Sequence, residues 1–538
     1  MRTALSFLFI ALSCVPYVVP ASASAQNGGT IAGALVTEQG RPVRRATVKL
    51  IGGVPATTRT ATSDTNGRFV FAGLPQGIYR LSAAKPGFIE ASYGAKRPGA
   101  GMPGTPISLA GDQRVDDIVL RLARGGVISG TVTDEFGEAA YAVPVRAMRL
   151  GYASGGHAAQ PAANTVTDDL GGYRLASLPP GDYLVSANLQ PAADRPAGER
   201  GYVPVYFGGT VAASAATHVA VGVSQQVPNI DIQLQAVRTS TISGSVTGPE
   251  GVPTGARLQL VDPAMPVANV GVWFRYATRD GKFSFPGLAP GSYVLNAQAP
   301  GGAAGGTLTG SVTVPLEGES AEVTLPLRRG MTVSGRLDLT TVKGAADVRR
   351  IRVTLDPVAS GSDWETKNYE AAPDADGRFA IRGVPRGLYR VLVSGLPAGV
   401  ALDAARFGTR DAADVHLQIE PGDEIPEGTL TFTDRTGEVS GFVKTPAGGP
   451  AVDRTVLLFP AANTYWVPES RRIQMTQSRQ DGRYTLRGLP AGDYRIAVVD
   501  VVEPGQQYDP AFLAGVAAGA ASATLSAGGR ATADLGVR

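Results

Sequence analysis

Cysteine and histidine are nearly missing from this chain of 538 residues, which has one cysteine, Cys14, and three histidines, His157, His218 and His416. A single cysteine excludes an intrachain disulfide, and the histidines show none of the paired spacings of a catalytic zinc site. Neither a Gly-x-Ser-x-Gly elbow nor a Walker sequence occurs. The sequence therefore predicts a protein that is not an enzyme and that holds no cofactor or metal.

Charged residues are also scarce, at 18% of the chain, and 49 Lys and Arg against 46 Asp and Glu leave a net charge of +3. Nucleic-acid binding requires a basic face, and binding to an anionic membrane surface requires a basic cluster. We expect neither partner. The hydrophobic content of 43% is too high for a disordered chain.

Glycine and proline, by contrast, are abundant, with 69 Gly and 39 Pro. They follow no three-residue period, which excludes collagen. Strands of alternating pattern are common, whereas no strongly periodic helix of about ten residues or more follows the first 25 residues. Length and pattern together predict an all-β protein of several domains.

The first 25 residues have the pattern of a secretory signal peptide. Arg2 precedes an apolar run over residues 4–19, and Ala23-Ser24-Ala25 provides a cleavage site. We expect a secreted, periplasmic or outer-surface protein of bacterial type, with no integral membrane segment after cleavage. A lipoprotein acylated at Cys14 is the alternative.

An internal repeat occupies the rest of the chain. Each copy has two glycines ten positions apart, an aromatic residue two positions after the first and a tyrosine two positions after the second. The glycine pairs are Gly67 and Gly77, Gly171 and Gly181, Gly281 and Gly291, Gly377 and Gly387, and Gly482 and Gly492. Five matches of this kind indicate five related domains.

A second motif of the type Ile-Ser-Gly-x-Val lies near the start of each copy, with its glycine at Gly33, Gly130, Gly244, Gly335 and Gly441. Repeats of about a hundred residues suit small sandwich domains better than solenoid units. We therefore predict five tandem β-sandwich domains, called here the first to fifth repeats. They span residues 26–124, 125–237, 238–329, 330–436 and 437–538.

Three local features of the repeat have a structural interpretation. The Asn-Gly and Asp-Gly pairs, such as Asn66-Gly67, predict hairpin turns, and Leu170-Gly171 in the second repeat predicts a looser turn. The Leu-Pro-x-Gly-x-Tyr segment predicts a tyrosine corner, in which the hydroxyl bonds the backbone upstream. The segments around Ser92-Tyr93-Gly94 and residues 202–207 are interpreted as loops before a later strand.

These motifs, taken together, resemble the carboxypeptidase regulatory-like domain. The resemblance covers essentially the whole mature chain and implies a prealbumin-type Greek-key sandwich of about seven strands in each repeat. The pattern is also similar to collagen-adhesin B-type modules and to the starch-binding-like fold. Because this fold hosts accessory, adhesive and binding roles, it does not by itself imply an activity.

Aromatic residues are the best candidates for ligand binding. Trp273, Trp364 and Trp466 precede the glycine turn of the last three repeats, and Tyr465 adjoins Trp466. Aromatic faces stack on sugars when exposed, but strand packing is the competing interpretation. We expect a structural, adhesive or protein-interaction rod with an unknown protein or polysaccharide partner. The alternative is a carbohydrate-binding accessory protein that uses these aromatics.

Overall fold

Alternation of apolar with small or polar residues produces strands along the whole chain, as the period of two predicts. The computed structural model describes residues 28–53, 56–99, 104–153, 156–188, 200–263, 272–301, 307–340, 348–358, 369–420 and 424–537. Over these residues the fold is all-β, with a single α-helix, α1, at Pro510–Ala517. The predicted signal peptide and Cys14 lie outside the described residues.

The first repeat forms two sheets around one core. Its strands are β1 Gly29–Thr37, β2 Thr47–Gly52, β3 Thr57–Thr62, β4 Arg68–Leu74, β5 Gly77–Ala84, β6 Ala91–Ser92, β7 Ile107–Leu109 and β8 Arg114–Leu122. β1 is antiparallel to β4 and parallel to β8. In the second sheet β2 lies between β3 and β5, and both β6 and β7 pair with the other edge of β5.

The second repeat follows the same plan with a longer hairpin, which β10 and β11 form. These are β9 Gly126–Thr133, β10 Pro144–Ala153, β11 Gly156–Val166, β12 Gly172–Leu178, β13 Gly181–Ala187, β14 Arg200–Tyr202, β15 Val205–Tyr206, β16 Val219–Val221, β17 Gln226–Val227, β18 Ile232–Gln233 and β19 Ala236–Arg238. β9 pairs with β12, β17 and β18, whereas β13 pairs with β10, β15 and β16.

The third repeat has its second sheet extended by one long hairpin. Its strands are β20 Ser240–Thr247, β21 Arg257–Val261, β22 Val272–Tyr276, β23 Lys282–Leu288, β24 Gly291–Pro300, β25 Thr307–Leu316, β26 Ala321–Pro326 and β27 Arg328–Arg329. The sheets have the orders β23-β20-β26 and β22-β21-β24-β25-β27. β25 pairs with β24 over the full length of both strands.

The fourth repeat places one strand in the opposite sheet. Its strands are β28 Met331–Asp338, β29 Arg352–Pro357, β30 Tyr369–Ala371, β31 Arg378–Val384, β32 Gly387–Ser394, β33 Ala401–Phe407, β34 Arg410–Asp411, β35 Leu417–Ile419 and β36 Gly428–Thr433. The sheets have the orders β31-β28-β36-β33-β34 and β30-β29-β32-β35. The strand that follows β32 along the chain, β33, therefore belongs to the other sheet.

The fifth repeat adds a helix to the outer side of one sheet. Its strands are β37 Gly437–Lys444, β38 Thr455–Pro460, β39 Gln474–Gln477, β40 Arg483–Leu489, β41 Gly492–Val499, β42 Ala521–Leu525, β43 Arg530–Thr532 and β44 Leu535–Gly536. Val456 and Leu458 of β38 face the sandwich core, whereas Leu457 and Phe459 pack with Leu513 of α1. Asp509 caps the helix by accepting a hydrogen bond from the Ala511 N–H.

The glycine of the Ile-Ser-Gly motif lies where the first strand of each repeat closely approaches the backbone near the end of that repeat. A β-carbon built on Gly33 would lie 2.1 Å from the Ile118 carbonyl oxygen, and one on Gly441 would lie 1.9 Å from that of Ala533. The same contact occurs at Gly130, Gly244 and Gly335. The motif therefore marks the strand that pairs in parallel with the end of the repeat, where a side chain does not fit.

The prediction that the Asn-Gly and Asp-Gly pairs form hairpin turns is wrong. The turn before Gly67 joins β3 to β4, and these strands pair with β2 and β1 in different sheets. The prediction of a looser turn at Leu170-Gly171 is also wrong, because the Gly171 N–H bonds the Asp168 carbonyl at 3.1 Å, as Gly67 bonds Asp64. In both turns the aspartate side chain accepts two further backbone N–H groups, so the turn at Gly171 keeps this geometry although Leu170 replaces the asparagine.

The predicted tyrosine corner is confirmed in all five repeats. Each corner tyrosine donates its hydroxyl proton to the carbonyl four residues upstream, which is that of Pro75, Pro179, Ala289, Pro385 or Pro490. The rings are buried, and burial raises the pKa of Tyr494 to about 12 despite the nearby Arg472. The corner therefore carries a buried phenol that stays protonated at neutral pH.

Candidate functional site

The tryptophans of the candidate aromatic site belong to the packing of their repeats where the structure describes them. Trp273 of β22 lies opposite Leu260 of β21 and contacts the Tyr293 ring edge to face, with ring centroids 5.9 Å apart. Trp466 donates its indole N–H to the Pro460 carbonyl at 2.8 Å and packs on Phe459. Both rings remain partly exposed. Trp364 lies outside the described residues.

Tyr465 occupies a different setting from the tryptophans. It ends a 3₁₀ turn at Asn463–Tyr465, and the Arg472 guanidinium lies 4.9 Å from its ring centroid. One face of this ring is thus taken by a cation within its own repeat. The structure brings Tyr465 and Trp466 together and places Trp273 in another repeat.

The described residues contain no cluster of three or more His, Asp, Glu or Cys side chains placed to hold a metal ion. His218 is exposed, whereas His416 is half-buried between the fourth and fifth repeats. The acidic turn at Asp374 uses its carboxylate to accept the backbone N–H groups of Asp376 and Arg378. Among the same residues, no helix is long and apolar enough to span a membrane.

A set of charged side chains joins the fourth repeat to the fifth. Two adjacent arginines are its only signal in the sequence. Asp414 lies in the turn after β34, and its two carboxylate oxygens lie 2.6 Å from Arg471 Nε and 2.6 Å from Arg472 Nη2. Arg471 also donates to the carbonyls of Leu402 and Asp403. We call Asp414, Arg471 and Arg472 the junction cluster.

Burial and hydrogen bonding act in opposite directions on the junction cluster. Burial alone would raise the pKa of the Asp414 carboxyl, but the hydrogen bonds from Arg471 and Arg472 outweigh it, so that the pKa lies below its ordinary value. The Asp414 side chain is only 10% exposed. The carboxylate is therefore charged at neutral pH and holds both arginines at the junction.

Two further contacts extend the junction beside this cluster. His416 Nε2 lies 3.1 Å from the Pro468 carbonyl oxygen, and Arg390 pairs with Glu469 of the fifth repeat and with Asp356 of its own. Burial lowers the pKa of His416, and the nearby Arg390 acts in the same direction against the Pro468 hydrogen bond. The histidine is therefore neutral at pH 7.

The fifth repeat also contacts the second repeat, through the segment after β41. Glu503 pairs with Arg149 at 2.9 Å, with both side chains about one-quarter exposed. Gly505 approaches Tyr152 so closely that a β-carbon would lie 3.0 Å from its carbonyl oxygen. Lys96 of the first repeat donates to the Asp500 carbonyl at 3.2 Å. The chain thus returns on itself.

Comparison with known protein families agrees with this fold over the first repeat. Residues 30–120 match the model of the carboxypeptidase regulatory-like domain, which confirms in the first repeat the family that the motifs indicate. No curated protein gives a significant match to the chain.

Several solved structures match the chain at low sequence identity and low TM-score. The Bacillus anthracis TIE protein is 11% identical over 96% of this chain and 75% of its own, with a TM-score of 0.16. A streptococcal ancillary pilin is 15% identical over 56% of this chain and 99% of its own, with a TM-score of 0.19. The minor pilin GBS52 of Streptococcus agalactiae is 14% identical over 39% of this chain and 96% of its own, with a TM-score of 0.23.

Proposed function

We propose that this protein is a non-catalytic, secreted or cell-envelope scaffold, in which five tandem sandwich domains present surfaces to a partner. The observation that carries the proposal is the junction cluster, where Asp414 of the fourth repeat binds two arginines of the fifth at 2.6 Å. A multidentate, largely buried contact of this kind fixes the angle between neighbouring domains. A fixed angle is a property that a structural or adhesive protein needs.

The contacts of Glu503 and Gly505 refine the shape of this scaffold. In a straight rod of five domains the fifth would lie far from the second. The Arg149–Glu503 pair and the approach of Gly505 to Tyr152 favour a folded-back arrangement instead. We therefore propose a scaffold that closes on itself, secreted by the signal peptide predicted over residues 1–25.

Retention on a cell envelope tests the proposal. The purified mature chain, residues 26–538, is incubated with an isolated bacterial envelope fraction and sedimented. We expect retention that is lost when the envelope is first treated with protease. Free chain in every sample would contradict an adhesive or protein-interaction role.

Carbohydrate binding through aromatic residues is the second candidate. It is supported by the adjacent, partly exposed Tyr465 and Trp466 at the junction. In this case glycan-hydrolase treatment of the envelope, rather than protease, would remove retention, and Tyr465→Ala would weaken it. Tyr465→Ala is the better variant, because Trp466→Ala also removes packing on Phe459 and costs about 3 kcal/mol of stability.

A further inference from the structure

One edge of β32 in the fourth repeat is open. β32 pairs with β29 along Tyr389–Ser394, but β35 pairs with it only along Gly387–Tyr389. The Val358 N–H bonds the Leu388 carbonyl, so the backbone N–H and C=O groups of Leu388 face β29. Successive residues of a strand direct these groups to opposite edges, and those of Val391 and Val393 therefore point away from β29. Among the described residues, no hydrogen-bond partner faces these two residues at that edge.

The first two repeats cover the same edge with a short strand. Leu392 and Val393 are the third and fourth residues after the corner tyrosine. The same positions are Ser82 and Ala83 in the first repeat, and Ser186 and Ala187 in the second. Ser82 and Ala83 pair with β6, and Ser186 and Ala187 pair with β15. The segments that we interpreted from sequence as loops are thus short covering strands.

The covering strand of the second repeat shows the bonds that the fourth repeat leaves unmade. The Phe207 N–H bonds the Val185 carbonyl at 2.9 Å, and Val185 corresponds to Val391. In the third repeat β25 covers the equivalent edge along its whole length. In the fifth repeat β42 pairs with β41 as far as Ile496, which corresponds to Val391.

A pocket of about 350 Å³ occupies the uncovered position in the fourth repeat. It lies between β32 and residues 412–416, which diverge beyond the Tyr389–Leu417 pair, and residues 467–471 of the fifth repeat close one side. Its wall is largely apolar, with Leu396, Val400 and Leu402 among the lining residues. This volume lies within the usual range of ligand pockets.

The charged groups of the pocket are already paired with one another. Arg390 pairs with Asp356 and Glu469, and Asp414 pairs with Arg471. A charged ligand would therefore compete with existing ion pairs. An uncharged apolar ligand with backbone N–H and C=O groups would instead meet both the apolar wall and the open edge.

We propose that this pocket binds an extended, uncharged and apolar segment of a partner polypeptide, which adds as a strand to β32 at Val391 and Val393. The site rests on the proposed scaffold function, for which it supplies the contact with a partner. Apolar side chains of the segment would lie against Val400 and Leu402.

A peptide that copies residues 201–210, the covering segment of the second repeat, is the probe. Its labelled form is titrated with the full mature chain, and binding is followed by fluorescence anisotropy. We expect saturable binding that Ala413→Phe weakens about tenfold or more by filling the pocket. The control Ala380→Phe places the same ring on an exposed position of β31, away from the pocket, and leaves binding unchanged.

N-methylated peptides test strand pairing without changing the protein. Methylation at the Phe207 position blocks an N–H that faces β13 in the second repeat, so we expect about a tenfold loss. Methylation at the Gly208 position serves as the matched control and should be tolerated. Equal effects of the two methylations would overturn strand addition and leave a pocket for apolar groups alone.

Absence of peptide binding by the folded chain would overturn the proposed site. That result is distinguishable from failure of the scaffold function, which the envelope experiment measures separately. Retention on envelopes without peptide binding would place the partner surface elsewhere on the molecule.

Discussion

At the residue scale, each repeat requires a particular residue type at two motif positions, and the physical reason differs between them. The glycine of the Ile-Ser-Gly motif is required because a backbone carbonyl near the end of the repeat occupies the space of its β-carbon. The corner tyrosine is required because its buried ring closes a turn through its hydroxyl. Sequence alone reveals both positions, but only the tertiary structure shows the carbonyl that excludes a side chain at Gly441.

Gly441→Ala provides a test of this close approach. The added methyl would lie 1.9 Å from the Ala533 carbonyl oxygen, so β37 and β43 must separate. We expect a loss of about 1–3 kcal/mol in the free energy of unfolding, measured by denaturant titration. Gly515→Ala in α1 is the control, because nothing lies within 4 Å of its added carbon and helical Ala is favoured. Equal stabilities of the two variants would contradict the steric explanation.

At the scale of elements, the same turn or strand acquires its role from its neighbours. The Asn66-Gly67 turn has hairpin chemistry but connects two sheets, because β3 and β4 find their partners in β2 and β1. Likewise the segment between β38 and β39 carries Arg471 and Arg472 to Asp414 of another repeat. Local sequence specifies the turn, whereas strand partners depend on the packed core.

The junction between the fourth and fifth repeats should weaken in acid. The pKa of Asp414 lies below its ordinary value, so its stabilising effect is complete above about pH 4 and is lost as the pH falls through the lowered pKa. Arg390, Glu469 and His416 face the same junction. Burial lowers the pKa of His416, so its protonation in acid acts in the same direction as the loss of the Asp414 charge. The protection of residues 467–473 against hydrogen exchange, measured relative to the intrinsic exchange rate at each pH, should therefore fall below about pH 4.

Asp414→Asn should reproduce the effect of acid at neutral pH. It leaves two arginines without their carboxylate, and we expect a loss of about 3 kcal/mol at the junction. Asp534→Asn is the matched control, since Asp534 also pairs with a cation but is exposed and lies within one repeat. If both variants exchanged at the wild-type rate, the junction cluster would not hold the repeats together.

At the scale of the whole molecule, the five repeats form separate hydrophobic cores that are connected by a few polar contacts. The domain boundaries at residues 124, 237, 329 and 436 remain predictions, as do the signal peptide and the aromatic ligand site. The folded-back arrangement depends on the segment after β41, where Glu503 contacts Arg149.

Glu503→Arg should open the folded-back arrangement. The substitution places two cations together at a contact that is about one-quarter exposed, and we expect a larger radius of gyration in small-angle X-ray scattering. Arg149→Glu in the same chain should restore the compact value. Glu250→Arg makes the same charge change at a pair within the third repeat and should leave the radius unchanged. An unchanged radius in Glu503→Arg would contradict the arrangement.

The sequence by itself determined the fold class, the fivefold repeat and the family of the first repeat. These follow from alternating apolar residues and from glycine, proline and tyrosine at fixed spacing, which are local requirements of strands and turns. Only the tertiary structure decided that the glycine turns link two sheets, that residues 205–206 form a covering strand, and that β32 has an open edge. Those features depend on which strands meet across the core, and residues distant in sequence decide that.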